Sequence, residues 1–93
     1  MIHTVTFSLK HSPGSAEEAD FLAAAGDLAV LPGVKDFAIW KQTSVKNPHS
    51  HGITMRFDSE SDFQAYCEHP LHVAFVETRW LPEVTDFREA DFA

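Results

Sequence analysis

Ile2-His3-Thr4-Val5-Thr6-Phe7-Ser8-Leu9-Lys10 alternates along its whole length. His3, Val5, Phe7 and Leu9 fall on one face, and Ile2, Thr4, Thr6, Ser8 and Lys10 on the other. A sustained period of two marks a strand with one buried face, so the odd-numbered residues are expected to look into a core. The other elements have to be arranged about this strand.

Ser12-Pro13-Gly14 makes the turn out of it. Ser15 followed by Glu18 matches a capping box, and Leu22, Ala25, Leu28 and Ala29 recur at helical spacing, which predicts a first helix to about Leu31. Leu31-Pro32-Gly33-Val34 stops it, because proline cannot continue a helix and glycine permits the reversal. Val34 to Thr43, rich in β-branched and aromatic residues, then reads as a second strand. The polar run from Ser44 to Ser50 is expected as a long hairpin loop. After it His51, Ile53, Met55 and Phe57 alternate with Gly52, Thr54, Arg56 and Asp58 in a third strand whose odd-numbered face is buried.

Ser59 and Asp62 open a second helix carrying Phe63, Tyr66 and Cys67, and Pro70 interrupts it by removing an amide donor and disfavouring helical geometry at His69. Pro70 suits the first position of a restarted helix, whose apolar face continues through Val76 and Trp80 to Pro82. Glu83 to Phe92 is the expected final strand. The order strand, helix, strand, strand, helix, strand is an α+β, split βαβ arrangement: one domain, residues 1–93, with a four-stranded antiparallel sheet and both helices on one face.

A chain of 93 residues buries roughly 65% of its extended surface on folding, so a monomer of this size is modestly stable. Yet 44% of its residues are hydrophobic, eight of them phenylalanine. The second strand carries Phe37 and Ile39 on one side but Ala38 and Trp40 on the other, so the sheet face away from the helices is not wholly polar. A second copy of the sheet covering that face is the expected remedy, which makes a homodimer the expected partner state.

The net charge of −7, with seven Lys and Arg scattered along the chain, offers no basic stripe for phosphates, so nucleic acid is not an expected partner. One cysteine, Cys67, rules out an intrachain disulfide and suits the cytoplasm. The start lacks a basic segment leading into a long apolar run, and no stretch reaches the 18 or so apolar residues that span a bilayer, so neither export nor a membrane partner is expected.

Chemistry concentrates in Tyr66-Cys67-Glu68-His69-Pro70-Leu71-His72, which places a phenol and two imidazoles around the helix break. Together with the His3 strand, Leu31-Pro32-Gly33-Val34, His51 opening strand three, and Phe57-Asp58-Ser59, this stretch resembles the stress-responsive A/B barrel domain (Dabb) family of the dimeric α/β barrel superfamily. The resemblance covers nearly the whole chain. It implies a ferredoxin-like protomer whose sheet packs against a twin subunit. It also implies, by likeness to the family's polyketide cyclase, a pocket between sheet and helices with Tyr66 and His72 as catalytic residues and His3 and His51 approaching the substrate.

On the residues themselves, a histidine near neutral pKa can take a proton next to a carbonyl while a phenol donates to the developing enolate, so His72 reads as base and Tyr66 as donor. Small carbonyl-bearing or aromatic metabolites are the expected ligands, with cyclase-like or lyase-type proton transfer and no cofactor. The alternative is a non-catalytic stress-response protein in which His69 and His72 satisfy backbone groups freed by Pro70 and Tyr66 packs in the core. Cofactor-free oxygenase activity rests on superfamily analogy alone. His49-x-His51 and His69-x-x-His72 could pair imidazoles, but no cysteine or carboxylate stands at a recurring ligand spacing, so no metal is expected. Cys67 reads as a small buried hydrophobe.

Overall fold

The computed structural model describes residues 1–93. β1 (Ile2–Leu9) lies inside a four-stranded sheet of order β2-β3-β1-β4, with β2 (Lys35–Lys41), β3 (His51–Arg56) and β4 (Val84–Phe92). The pairings of β1 with β3, β1 with β4, and β2 with β3 are all antiparallel. This is the split βαβ arrangement that the order of elements predicts. Val5, Phe7, Ile53 and Met55 from the odd-numbered strand face join Phe21, Ala25, Leu28, Tyr66 and Phe75 from the helices in one core, with Phe7, Phe21 and Phe57 wholly buried. Alternation along β1 therefore fixes which sheet face the helices cover.

α1 (Ala16–Gly26) begins at Ser15, whose Oγ accepts from the Glu18 amide at 3.2 Å. Glu18 reaches back to the Gly14 amide, so the cap closes one residue further out than the usual box. The last turn, Asp27–Val30, tightens to a 3₁₀ helix before Leu31 turns extended. Gly33 then takes φ 83°, in the left-handed region, so this reversal needs glycine for its backbone angle; an added Cβ would meet Asp62 Cβ at 3.4 Å, an ordinary contact.

α2 (Glu60–Glu68) is capped by Ser59, which accepts from the Asp62 amide at 3.1 Å. The chain breaks at His69, with ψ at 134°, and restarts as α3 (Pro70–Phe75) with proline in its first turn. One feature goes unannounced by the sequence pattern. Residues Val76–Trp80 widen into a π-helical turn before a last helical turn, Leu81–Glu83. The widened turn sets Trp80 against Phe7 at 5.0 Å and Phe87 at 5.5 Å between ring centroids, over the edge of the sheet.

The opposite sheet face carries Ile2, Trp40 and Phe92, which are 43%, 58% and 57% exposed. Ile2 stands opposite Phe92 on β4, and Trp40, opposite Gly52, donates its indole N–H to Thr54 Oγ1 at 2.9 Å. At one end of the same face the loop after β2 folds back onto the sheet. Gln42 ties it together by donating to the carbonyls of Asn47 and His49, and the buried His49 ring sits between Thr6 and Asp86. Asp86 accepts at 2.6 Å, so His49 carries its proton on Nε2, and Nδ1 accepts from the Thr6 hydroxyl at 2.7 Å. That bond to His49 holds the Asp86 carboxyl below its ordinary range.

Candidate functional site

A cavity of about 180 Å³ opens between the inner faces of β1, β3 and β4 and the helical segment from Tyr66 to Leu81. Its walls are aliphatic and aromatic, Trp80 and Phe87 among them, and besides the Tyr66 hydroxyl only His3, His72 and Glu89 bring polar side chains to it.

Tyr66 and His72 reach it because of the helix break. In an unbroken helix the Cys67 carbonyl would take the Leu71 amide. Here that amide turns to His69 Nδ1 at 3.1 Å, and the Cys67 carbonyl takes His72 Nδ1–H at 3.1 Å instead. A carbonyl only accepts, so the proton sits on Nδ1 and Nε2 carries the free lone pair of the neutral ring. Burial is the main influence on His72 and moves its pKa below the ordinary imidazole value, which keeps the ring neutral and basic at pH 7.

The Tyr66 and His72 ring centroids are 4.5 Å apart. Tyr66 is 3% exposed as a residue. No buried side-chain polar atom of the chain lacks a partner, and the Tyr66 hydroxyl bonds to no protein group, so that hydroxyl reaches the open space of the cavity. Burial pushes the phenol well above its ordinary pKa, so it stays protonated and able to donate. Cys67, next to this pair, is shifted upward, first by burial and then by Glu89, Asp91 and Glu68, so it is no thiolate nucleophile at pH 7.

His3 enters the cavity from β1. Its Nδ1 lies 2.5 Å from Asp91 Oδ1 on β4, and its ring packs on Phe63 at 4.7 Å. The carboxylate fixes the tautomer as it does for His49, leaving Nε2 of a neutral His3 as the acceptor.

His51 stands elsewhere. The expectation of four groups around one pocket becomes three and one, for a reason of register. In the antiparallel β1–β3 pair His3 lies opposite Met55, whereas His51 lies opposite Phe7, four residues further along. At about 3.3 Å per residue the two histidines are roughly 13 Å apart along the strand. His51 stacks on Phe7 at 5.5 Å, pairs Nδ1 with Ser50 Oγ at 2.8 Å and borders a separate polar depression with Glu18 and Lys41. Both histidines do face the helices, but each begins a strand, and antiparallel strands begin at opposite ends. His49 and His51 likewise divide between the two sheet faces, since His49 bonds Thr6 on the outer side.

Glu89, Asp91, Trp80 and Phe87 are the site residues that reading the sequence missed. Phe87, Glu89 and Asp91 pair with Phe7, Val5 and His3, and so share the cavity face. Their spacing of two, set against the His3 strand, is the signal that could have found them.

The family described as Stress responsive A/B Barrel Domain matches residues 1–93. The chain is similar to a Dabb family protein with a ferredoxin-like fold from Mesorhizobium loti, with 42% identity, covering 99% of this chain and 93% of that one at a TM-score of 0.97. A dimeric ferredoxin-like protein of unknown function from Thermobifida fusca shares the fold at 22% identity, covering 99% and 88% of the two chains at a TM-score of 0.80. So does a hydroxynitrile lyase from Passiflora edulis, at 16% identity, 98% and 89% coverage and a TM-score of 0.83. Among curated proteins nothing matches the chain.

Proposed function

The chain belongs to the stress responsive A/B barrel domain (Dabb) family, and on that premise we propose that it works as a homodimer whose cavity binds a small carbonyl-bearing or aromatic metabolite and moves a proton on it. The observation that carries this reading is the Tyr66–His72 pair: an unengaged phenol and a neutral imidazole, 4.5 Å apart between centroids, on a cavity whose walls are mostly apolar.

In the proposed reaction a C–H bond next to the substrate carbonyl breaks. The proton goes to His72 Nε2, and the electron pair moves onto the carbonyl oxygen, where Tyr66 O–H donates to the enolate. In a cyclising substrate the enolate carbon then attacks a second carbonyl, and the imidazolium returns its proton to the new alkoxide. In a lyase-type substrate Nε2 takes a hydroxyl proton instead, the oxygen's electron pair forms the carbonyl, and the adjacent C–C bond breaks with its pair leaving on the departing group, cyanide in a hydroxynitrile, which the imidazolium then protonates. The hydroxynitrile lyase among the relatives of this fold is the reason to include cleavable hydroxy compounds in a substrate panel.

The test is an NMR titration of the histidine ring signals against neutral aromatic ketones, β-diketones and hydroxynitriles. Under this reading the His3 and His72 signals move together, saturably, while His51 stays still, because it borders a different depression. A second reading, a non-catalytic protein with structural histidines, has its own support in the bonds of His69 and His72 to backbone groups at the helix break. It predicts that no compound moves either signal.

The dimer is proposed to form by packing of the two outer sheet faces, which the exposure of Ile2, Trp40 and Phe92 supports. Dimeric relatives of the same fold support it as well. Trp40→Asp would then bury a charge in an apolar contact, and the protein should sediment as a monomer near 10.4 kDa at concentrations where the unaltered chain is twice that mass. A Trp40→Asp protein that remains dimeric sinks this arrangement.

A further inference from the structure

Glu89 is a solvent-exposed carboxylate on the cavity wall that no side chain of the protomer answers. It sits opposite Val5 in the β1–β4 register, on the face that lines the cavity, and it takes part in no ion pair and no hydrogen bond. Every other acidic residue nearby on β4 is engaged: Asp91 with His3 and Asp86 with His49. No lysine or arginine lines the cavity. Its two histidines do not supply the missing charge, since His72 is held neutral by burial and His3 already faces the Asp91 carboxylate. The remaining walls include the rings of Tyr66, Trp80 and Phe87, whose faces attract cations.

We propose that Glu89 sets the charge specificity of this cavity, making it a site for aromatic or carbonyl ligands that carry a protonated nitrogen and excluding ligands with a free carboxylate. This rests on the cavity being a ligand site at all, as argued above. A cation seated beside Trp80 or Phe87 gains both the Glu89 carboxylate and the ring faces. A carboxylate in the same place meets Glu89 with no counter-charge, in a chain whose net charge of −7 adds to the repulsion. The ordering for one scaffold is therefore amine above alcohol above acid.

Three compounds of similar shape test it: benzylamine, benzyl alcohol and benzoate, titrated at pH 7 and low salt against the full chain, with the His72 ring and Trp80 indole signals as readout. Attraction for one ion and repulsion of the other, each at the scale of an exposed ion pair, give a ratio of a few-fold to about tenfold between amine and acid. That ratio should shrink as salt rises to 0.5 M, which tests the charge effect without any substitution. Glu89→Gln, which keeps the side chain's shape, should bring the ratio close to one. Equal affinities for amine and acid overturn the proposal, as does a preference that survives both salt and Glu89→Gln; in those cases benzyl alcohol binding leaves the ligand-site reading standing. If benzyl alcohol does not bind either, the ligand site falls and this specificity falls with it.

Discussion

His72→Ala is expected to lower turnover of any carbonyl substrate found by the ring-signal titration by about 10²- to 10⁴-fold, the scale of a lost general base. Tyr66→Phe, which keeps the ring packed on Phe57 at 5.2 Å and removes only the hydroxyl, should lose about 10²-fold or more in kcat through the missing hydrogen bond to the enolate. The structural cost of His72→Ala is small beside this. It frees the Cys67 carbonyl at the helix break, worth about 1 kcal/mol.

The pH dependence separates the roles further. Burial lowers the folded-state pKa of His72, so the basic form persists below the ordinary value of about 6.5 and the acid limb of the kcat/KM profile should lie beneath it. The stability effect has the matching sign. The unfolded chain takes up a proton at His72 more readily than the folded one, so stability is intact above about pH 6.5 and falls as pH drops from there through the depressed pKa. His72→Ala should flatten that part of the stability curve and remove the acid limb. A His72→Ala protein that turns over substrate at the original rate, or whose acid limb is unmoved, ends the assignment of His72 as base.

Phe7→Ala should be the most damaging single change to the fold. Phe7 is wholly buried and lies 5.9 Å from Phe21, 5.0 Å from Trp80 and 5.5 Å from His51 between ring centroids. It is the residue through which strand, first helix and widened turn meet. Removing it costs about 3–5 kcal/mol in lost transfer energy and cavity formation, against a typical domain stability of about 5–15 kcal/mol. For a chain of this length that is a fall in Tm of about 15 °C or more. Val45→Ala, at a fully exposed position of the loop after β2, is the control and should stay within about 0.5 kcal/mol. Both belong at one protein concentration, because the proposed dimer would make Tm depend on it. If the two substitutions shift Tm equally, this account of the core is wrong.

Much of the fold was legible because its signals are local. Alternation in β1 and β3, the serine caps of α1 and α2, the Pro32-Gly33 reversal and the Pro70 restart each act over a few residues, and the structure places every one of them where the pattern does. The same locality brought Tyr66 and His72 into view, since one helix break serves both.

Contacts between distant segments stayed hidden in the chain. Alternation assigns His3 and His51 to the same face, but the face does not set position along it; the β1–β3 register does, and it sends His51 to Phe7 and Glu18. Glu89 and Asp91 acquire meaning only when β4 is laid beside β1, and His49 only when its loop folds back to Thr6 and Asp86. The π turn that brings Trp80 over Phe7 has no signature of its own in the residues that form it. By itself the sequence determined the elements, their buried faces and the residues at the helix break, because propensity, capping and periodicity are properties of neighbours. Tertiary structure alone decided which polar groups share the cavity, because register and strand order join residues far apart in the chain, His3 and Asp91 across 88 positions.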